Sequence, residues 1–267
     1  MDAPPSTLLQ LARHVTTVGV AGVISGVLVA GLGARLFMRI AGASAPDRAQ
    51  GAGTEAGFTV GEVTLAGTIE LIIFVGFFAG IAGAVFYAAF RPWLGWAGKW
   101  RGAIFGVVLF AIGSATSDVL NPDNIDFIVL GNGALLVSLI VALFIGYGVM
   151  IEWLFKVLDR RMPLVESANR LFKTEYVGTA IIGLLAAVGF VGFSLFSTQG
   201  CDCDPPLLAS TFVVIVAVGT LLWWASGIWR SQSWAASLAP ILGFLGLVGA
   251  TVFGLWRAVS DSVDIIT

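Results

Sequence analysis

Arg35 and Arg39 stand four residues apart near one end of the first apolar stretch of this chain, so both project from one face of a helix. Glu70 opens the second apolar stretch at a comparable depth, and Asp118, Asp126 and Arg257 reach the same level from the third, fourth and seventh. An ionisable group inside a membrane costs at least about 2.5–3.5 kcal/mol at the midplane, so it is retained for pairing or for function. The preferred reading is structural: Glu70 pairs with Arg35 or Arg39, and Asp126 serves the first turn of its helix, where a negative charge meets exposed N–H groups. The competing reading is an outward-open cavity that binds a cation or a polar head group, with the acids as ligands and the arginines as anion contacts. No ionisable residue is placed near the middle of a span.

Other chemistry is sparse. Cys201 and Cys203 lie in one short loop, Cys-Asp-Cys-Asp, and are expected to be oxidised on the outer side. No metal site is expected, because the sole histidine, His14, falls at the opposite face; the same fact disfavours haem, zinc hydrolysis and histidine acid–base catalysis. Asn121-Pro122-Asp123-Asn124-Ile125-Asp126 offers several oxygens but lacks the spacing of a calcium loop, and reads as a capped turn. There is no Walker loop, so no ATP site. Lys99, Lys156 and Lys173 are all interfacial, leaving none for a retinal Schiff base. No cofactor is expected, and a net charge of −2 gives no reason for nucleic acid.

These residues must be carried by membrane-spanning helices. Only 11% of the chain is charged while 58% is apolar, too much apolar surface for a soluble fold to hide. The predicted architecture is all-α, a single polytopic domain over 1–267 with about seven spans near 17–41, 67–90, 102–120, 127–155, 176–197, 207–229 and 237–258. Arg91-Pro92 stops the second span, Asn121-Pro122 turns between the third and fourth and makes them antiparallel neighbours, and Pro205-Pro206 starts the sixth. The segment 42–66 is an extracytoplasmic loop, and Phe58 to Leu65 has the alternation of a short strand or hairpin. No signal peptide is read at the N-terminus.

Basic residues orient the bundle. Ten of the fourteen lysines and arginines fall on the side of the N-terminus and of the loops after spans two, four and six; Arg35, Arg39, Arg48 and Arg257 fall on the other. The rich side is predicted cytoplasmic, which puts the C-terminus outside, in a multi-pass protein of the cell membrane. Eight of the nine tryptophans, Trp93 among them, map towards the inner interface.

Helices in lipid gain little from hiding apolar surface from one another, so close backbone approach must join them. Small residues at four-residue spacing mark the contacts: Gly22, Gly26 and Ala30; Gly76, Gly80 and Ala84; Thr179, Gly183 and Ala187. Gly243, Gly246, Gly249 and Gly254 crowd the seventh span. Ser114, Thr116, Ser117 and Asn132 are expected to hydrogen-bond between helices. The leading functional expectation is a non-enzymatic accessory or scaffold subunit, or a binder of lipid or a small ligand from the outer side, with lipids and other membrane subunits as partners. A small-solute or ion transporter or channel using the outer polar layer is the alternative. A lipid-processing enzyme built on Arg35, Arg39, Glu70 and Asp118 is third.

Overall fold

The computed structural model describes residues 4–53, 60, 64–116, 119–165, 168–197, 207–229 and 233–266. Seven helices dominate it. We label them α1 (Leu8–Ser44), α2 (65–90), α3 (Arg101–Thr116), α4 (Gly133–Arg161), α5 (Arg170–Ser197), α6 (Leu207–Ile228) and α7 (Ser233–Ile266). Among the described residues, five helical stretches are long and apolar enough to cross a membrane: Leu8–Ser44, Leu65–Thr116, Gly133–Arg161, Ser210–Ile228 and Trp234–Ile266. The chain is an all-α, multi-pass membrane protein.

Most helices run past their apolar windows. α1 starts at Leu8 because Thr7 caps it, its side chain accepting from Gln10 N at 3.2 Å while the Gln10 side chain takes the Ser6 N–H at 2.9 Å. The start of α4 departs from expectation. Residues Ile125–Leu130 form a separate helical turn, and Gly131 (φ 60°) and Asn132 (φ 48°, ψ 51°) take positive-φ conformations before α4 begins at Gly133. Asn132, expected inside a span, is therefore the residue at its entrance. Arg91 does end α2, passing into a tight 3₁₀ run, Arg91–Trp100, that turns at Gly98 (φ 53°, ψ −119°) into α3.

Two helices carry π-type turns. Within α1 the run Gly26–Gly31 is π-helical, and the Leu32 N–H reaches back five residues to Val27 O; within α2 the run Leu71–Phe78 is of the same kind. The two runs pack on each other. A Cβ on Gly26 would strike Gly76 O and the Gly80 backbone, and one on Gly76 would come within 3.0 Å of Val27 Cα. The stripes Gly22–Gly26 and Gly76–Gly80 thus form the α1–α2 seam, the role expected of them. Gly183 packs on Val15 of α1, Gly246 and Gly249 on Phe212 of α6, and Gly254 on Ala111 of α3. A further seam, Gly102 and Gly106 of α3 against Gly148 of α4, went unread in the sequence. α3 and α4 are neighbours, as the turn between them requires.

The largest buried cluster gathers Tyr87, Phe90, Trp93 and Leu94 with Phe105, Ile151 and Phe155. Trp93 is wholly buried within the bundle: its indole Nε1 donates to Thr220 Oγ1 at 2.9 Å, and Gly243 lies beneath the ring. Trp96, Trp100, Trp153, Trp229 and Trp234 stay exposed.

The segment expected as a loop over 42–66 is shorter, because α1 continues to Ser44 and α2 begins at Leu65. A 3₁₀ turn, Asp47–Ala49, leads to a pair of backbone bonds, Val60 N to Ala52 O at 2.9 Å and Gly51 N to Val60 O at 3.2 Å. This is strand-like pairing of minimal length. Val60 is buried against Ala41, Leu130 and Leu136.

Candidate functional site

The C-terminal half of α1 presents Ala34, Arg35, Met38 and Arg39 to a cavity of about 960 Å³. The start of α2 supplies Leu71 and Val75; α4 supplies Leu136, Ile140, Leu143 and Phe144; the connection before α4 supplies Val119, Asn124, Asp126 and Phe127. Gln50 and Val60 close it from the segment between α1 and α2, where Gln50 Nε2 donates to Gly42 O at 2.9 Å. Most of the wall is apolar, with polar groups confined to a few positions, the composition expected of a small-molecule site.

Three of the six ionisable residues singled out above share this wall: Arg35, Arg39 and Asp126. Arg35 is half-buried; its Nη2 donates to Thr64 O at 3.1 Å, while its buried Nε has no hydrogen-bond partner among the described residues. Arg39 is exposed into the cavity. Glu70 is exposed, and no ion pair joins it to Arg35 or Arg39 among the described residues. The reason is the face and not the depth. Gly31 packs on Ile72 and Gly76, so Arg35, one turn further along α1, comes level with Glu70; but Glu70 stands on an exposed face of α2, and the Arg35 side chain runs on to Thr64. Arg257 lies outside the cavity and pairs with Asp261 of its own helix at 3.3 Å. Asp118, Cys201 and Cys203 lie outside the described residues.

The Asn-Pro-Asp-Asn segment is a capped turn. Asn121 Oδ1 accepts from Asp123 N at 2.9 Å and Asn124 Oδ1 from Asp126 N at 2.7 Å, so both amide oxygens serve the local backbone. Among the described residues, no three histidine, cysteine or acidic side chains come together in a cluster able to hold a metal ion.

The opposite end of the bundle holds a polar group that sequence reasoning passed over. Glu152 of α4 is only 4% exposed. Its Oε2 accepts from the Tyr87 hydroxyl of α2, its Oε1 meets Lys156 Nζ at 2.8 Å, and Arg91 Nε donates to the Tyr87 oxygen at 3.2 Å. The Arg91 guanidinium also lies over the Phe155 ring at 4.1 Å. Nearby, Arg13 of α1 pairs with Asp159 at 2.7 Å and donates to the carbonyls of Asp159, Met162 and Pro163, closing the end of α4. One signal in the sequence pointed here, Glu152 and Lys156 at i,i+4. Of the hydroxyls expected to join helices, Thr116 bonds back to Ile112 O at 2.7 Å, and Ser114 Oγ is buried without a partner among the described residues.

Comparison with protein-family models, curated proteins and solved structures finds no match to this chain. The cavity and the buried polar group are therefore read from their own chemistry.

Proposed function

We propose that this is a non-enzymatic protein of the cell membrane that takes a lipid or other small ligand into the Arg35–Arg39 cavity from the outer side, as an accessory or scaffold subunit. The cavity carries the reading: about 960 Å³ of mainly apolar wall with two arginines at one position on it. The proposed topology has seven spans, with the N-terminus inside and the C-terminus outside. Supporting it, Leu65–Thr116 has 52 residues, roughly 78 Å if straight at ~1.5 Å per residue. That is more than twice a hydrocarbon core of about 30 Å, and the turn at Gly98 divides it into two crossings. Arg170–Ser197, with 28 residues, supplies another.

Filling the cavity tests the reading. Ala34→Phe and Val75→Trp add bulk to two of its walls without touching a charge. The wild-type chain purified from membrane should retain a small amphiphile detectable by mass spectrometry after solvent extraction, and gain thermal stability when lipid extract is returned. Both effects should vanish in the filled variants. Retention unchanged by both fillings would reject the cavity as the binding site.

A carrier is the second reading, and Glu152 is the observation in its favour, since an acid buried within a span is functional by default. Against it, Tyr87 donates to one oxygen of that carboxylate and the Lys156 ammonium lies 2.8 Å from the other, so the charge is already paired. Glu152 also lies about 18 Å along α4 from Ile140 of the cavity wall, at ~1.5 Å per residue. Solute uptake into vesicles that disappears with Glu152→Gln would move the carrier reading ahead.

A further inference from the structure

We infer that the cavity selects an amphiphile with a single hydrocarbon chain and a compact anionic head, a carboxylate or a phosphate monoester; this rests on the cavity being a ligand site. The charge on its wall is lopsided. Arg35 and Arg39 face it from one side of α1, whereas Asp126 is the one acid among the described lining residues and already has a partner of its own. Glu70, the acid nearest in sequence to the α2 wall, turns away to solvent or lipid. One bond from Arg35 is spent on the Thr64 carbonyl, which fixes the guanidinium in place; its buried Nε and the whole of Arg39 have no partner among the described residues. Each guanidinium carries a planar fork of N–H groups that matches the paired oxygens of a carboxylate or phosphate. Arg39 is exposed into the cavity with that edge unused, so an oxyanion arriving there meets donors the fold leaves open.

The rest of the wall sets the tail. Phe37, Leu71, Val75, Ile140, Leu143 and Phe144 offer neither donors nor acceptors in their side chains, so a polar group lying against them would go unmet. Size fits one chain. At roughly 30 Å³ per water-sized group, the space takes on the order of thirty non-hydrogen atoms, enough for one long chain with its head.

The experiment uses the full chain in nanodiscs of zwitterionic lipid. Hexadecanoate, hexadecyl phosphate and hexadecanol are titrated and thermal shift is followed, with Ala34→Phe as the control for partition into the bilayer. The wild type should bind one or both anionic probes at least about tenfold more tightly than the alcohol, and the tighter of the two identifies the head. Arg35→Gln with Arg39→Gln should erase that preference while the ligand-free melting temperature reports that the variant is folded. Arg39→Lys should keep part of it, since a point charge lacks the fork. If the alcohol binds as tightly as the anions and only Ala34→Phe abolishes it, the anion inference falls and the cavity reading stands. If Ala34→Phe leaves all three probes bound as in wild type, both fall.

Discussion

Glu152 shows how a charge is tolerated where lipid surrounds the fold. Its carboxylate meets a hydroxyl from α2 on one oxygen and an ammonium from its own helix on the other. Lys156 is 45% exposed at its side chain, so it reaches back to the carboxylate from a solvated position. Tyr87 has no such freedom, being wholly buried. Tyr87→Phe should therefore lower stability by about 1–3 kcal/mol, the cost of an acceptor that loses its donor. Glu152→Leu should cost a similar amount, about 1–3 kcal/mol, because it leaves the buried Tyr87 hydroxyl without its acceptor while Lys156 returns to solvent. The double variant should lose less than the two single losses added together, in an unfolding cycle measured in detergent. Strict additivity would show that the hydroxyl and the carboxylate do not act together. Of these groups only the i,i+4 pair was legible in the sequence. A Tyr–Glu bond between helices 65 residues apart leaves no local pattern. Arg35 and Arg39 were legible for the opposite reason, since their four-residue spacing alone puts them on one face. Their expected partner lies at the matched depth, but residue counting does not tell which face of α2 carries Glu70.

Helices were easier to read than their ends. Apolar windows located every long helix, yet α1, α5 and α7 all begin or finish well outside them, because polar termini continue a helix wherever caps and neighbours support it. The Thr7–Gln10 cap is a pattern the sequence displays openly. The break at Gly131-Asn132 is not, because nothing local to an asparagine says whether it will enter the left-handed region or continue a helix. The glycines of the α1–α2 seam were read as packing positions from their spacing alone, though not which helices they join, and the seam's tightness makes a prediction at this scale. Gly26→Val must displace the Gly76 carbonyl and the Gly80 backbone, and should cost about 1–3 kcal/mol in thermal unfolding. Gly19→Ala, on the same helix with nothing within 4 Å of the new carbon, should be neutral or slightly stabilising. Equal effects from the two would mean that the seam does not hold the helices.

Across the whole molecule the two ends differ in kind. One is tied by Arg13–Asp159 and the Tyr87–Glu152–Lys156 group, and the other contains the cavity. A bundle fastened at one end and hollow at the other suits a chain that admits a ligand without loosening its core. The proposed orientation places the fastened end in the cytoplasm. After Cys201 and Cys203 are replaced by serine, single cysteines near 160 should react with impermeant reagents only in opened membranes, and those near 123 in sealed ones. Labelling of both from one side would overturn the seven-span topology. An orientation can be proposed from basic residues because it depends on their sum over loops, whereas the cavity depends on which helices touch, and that required coordinates.

The paired π turns bear on how such a site can arise or be lost. Each adds one residue to an otherwise α-helical path, and one residue is worth about 100° of rotation. Removing a single residue within Gly26–Gly31 would let α1 close into an unbroken α-helix, leaving its apolar surface and its length almost unchanged. The extra residue is wound into the wide turn, because the Leu32 N–H returns to Val27 O as a residue four on would in an α-helix, so everything beyond keeps its face and Arg35 and Arg39 stay on the cavity wall. A chain lacking Val29 should therefore insert, fold and retain its ligand, whereas one lacking Gly33, in the α-helical stretch just before Arg35, should turn both arginines by about 100° and lose it. In this protein the wide turns absorb an extra residue without moving the charges, so whether an inserted or deleted residue disturbs the site depends on the kind of turn it falls in.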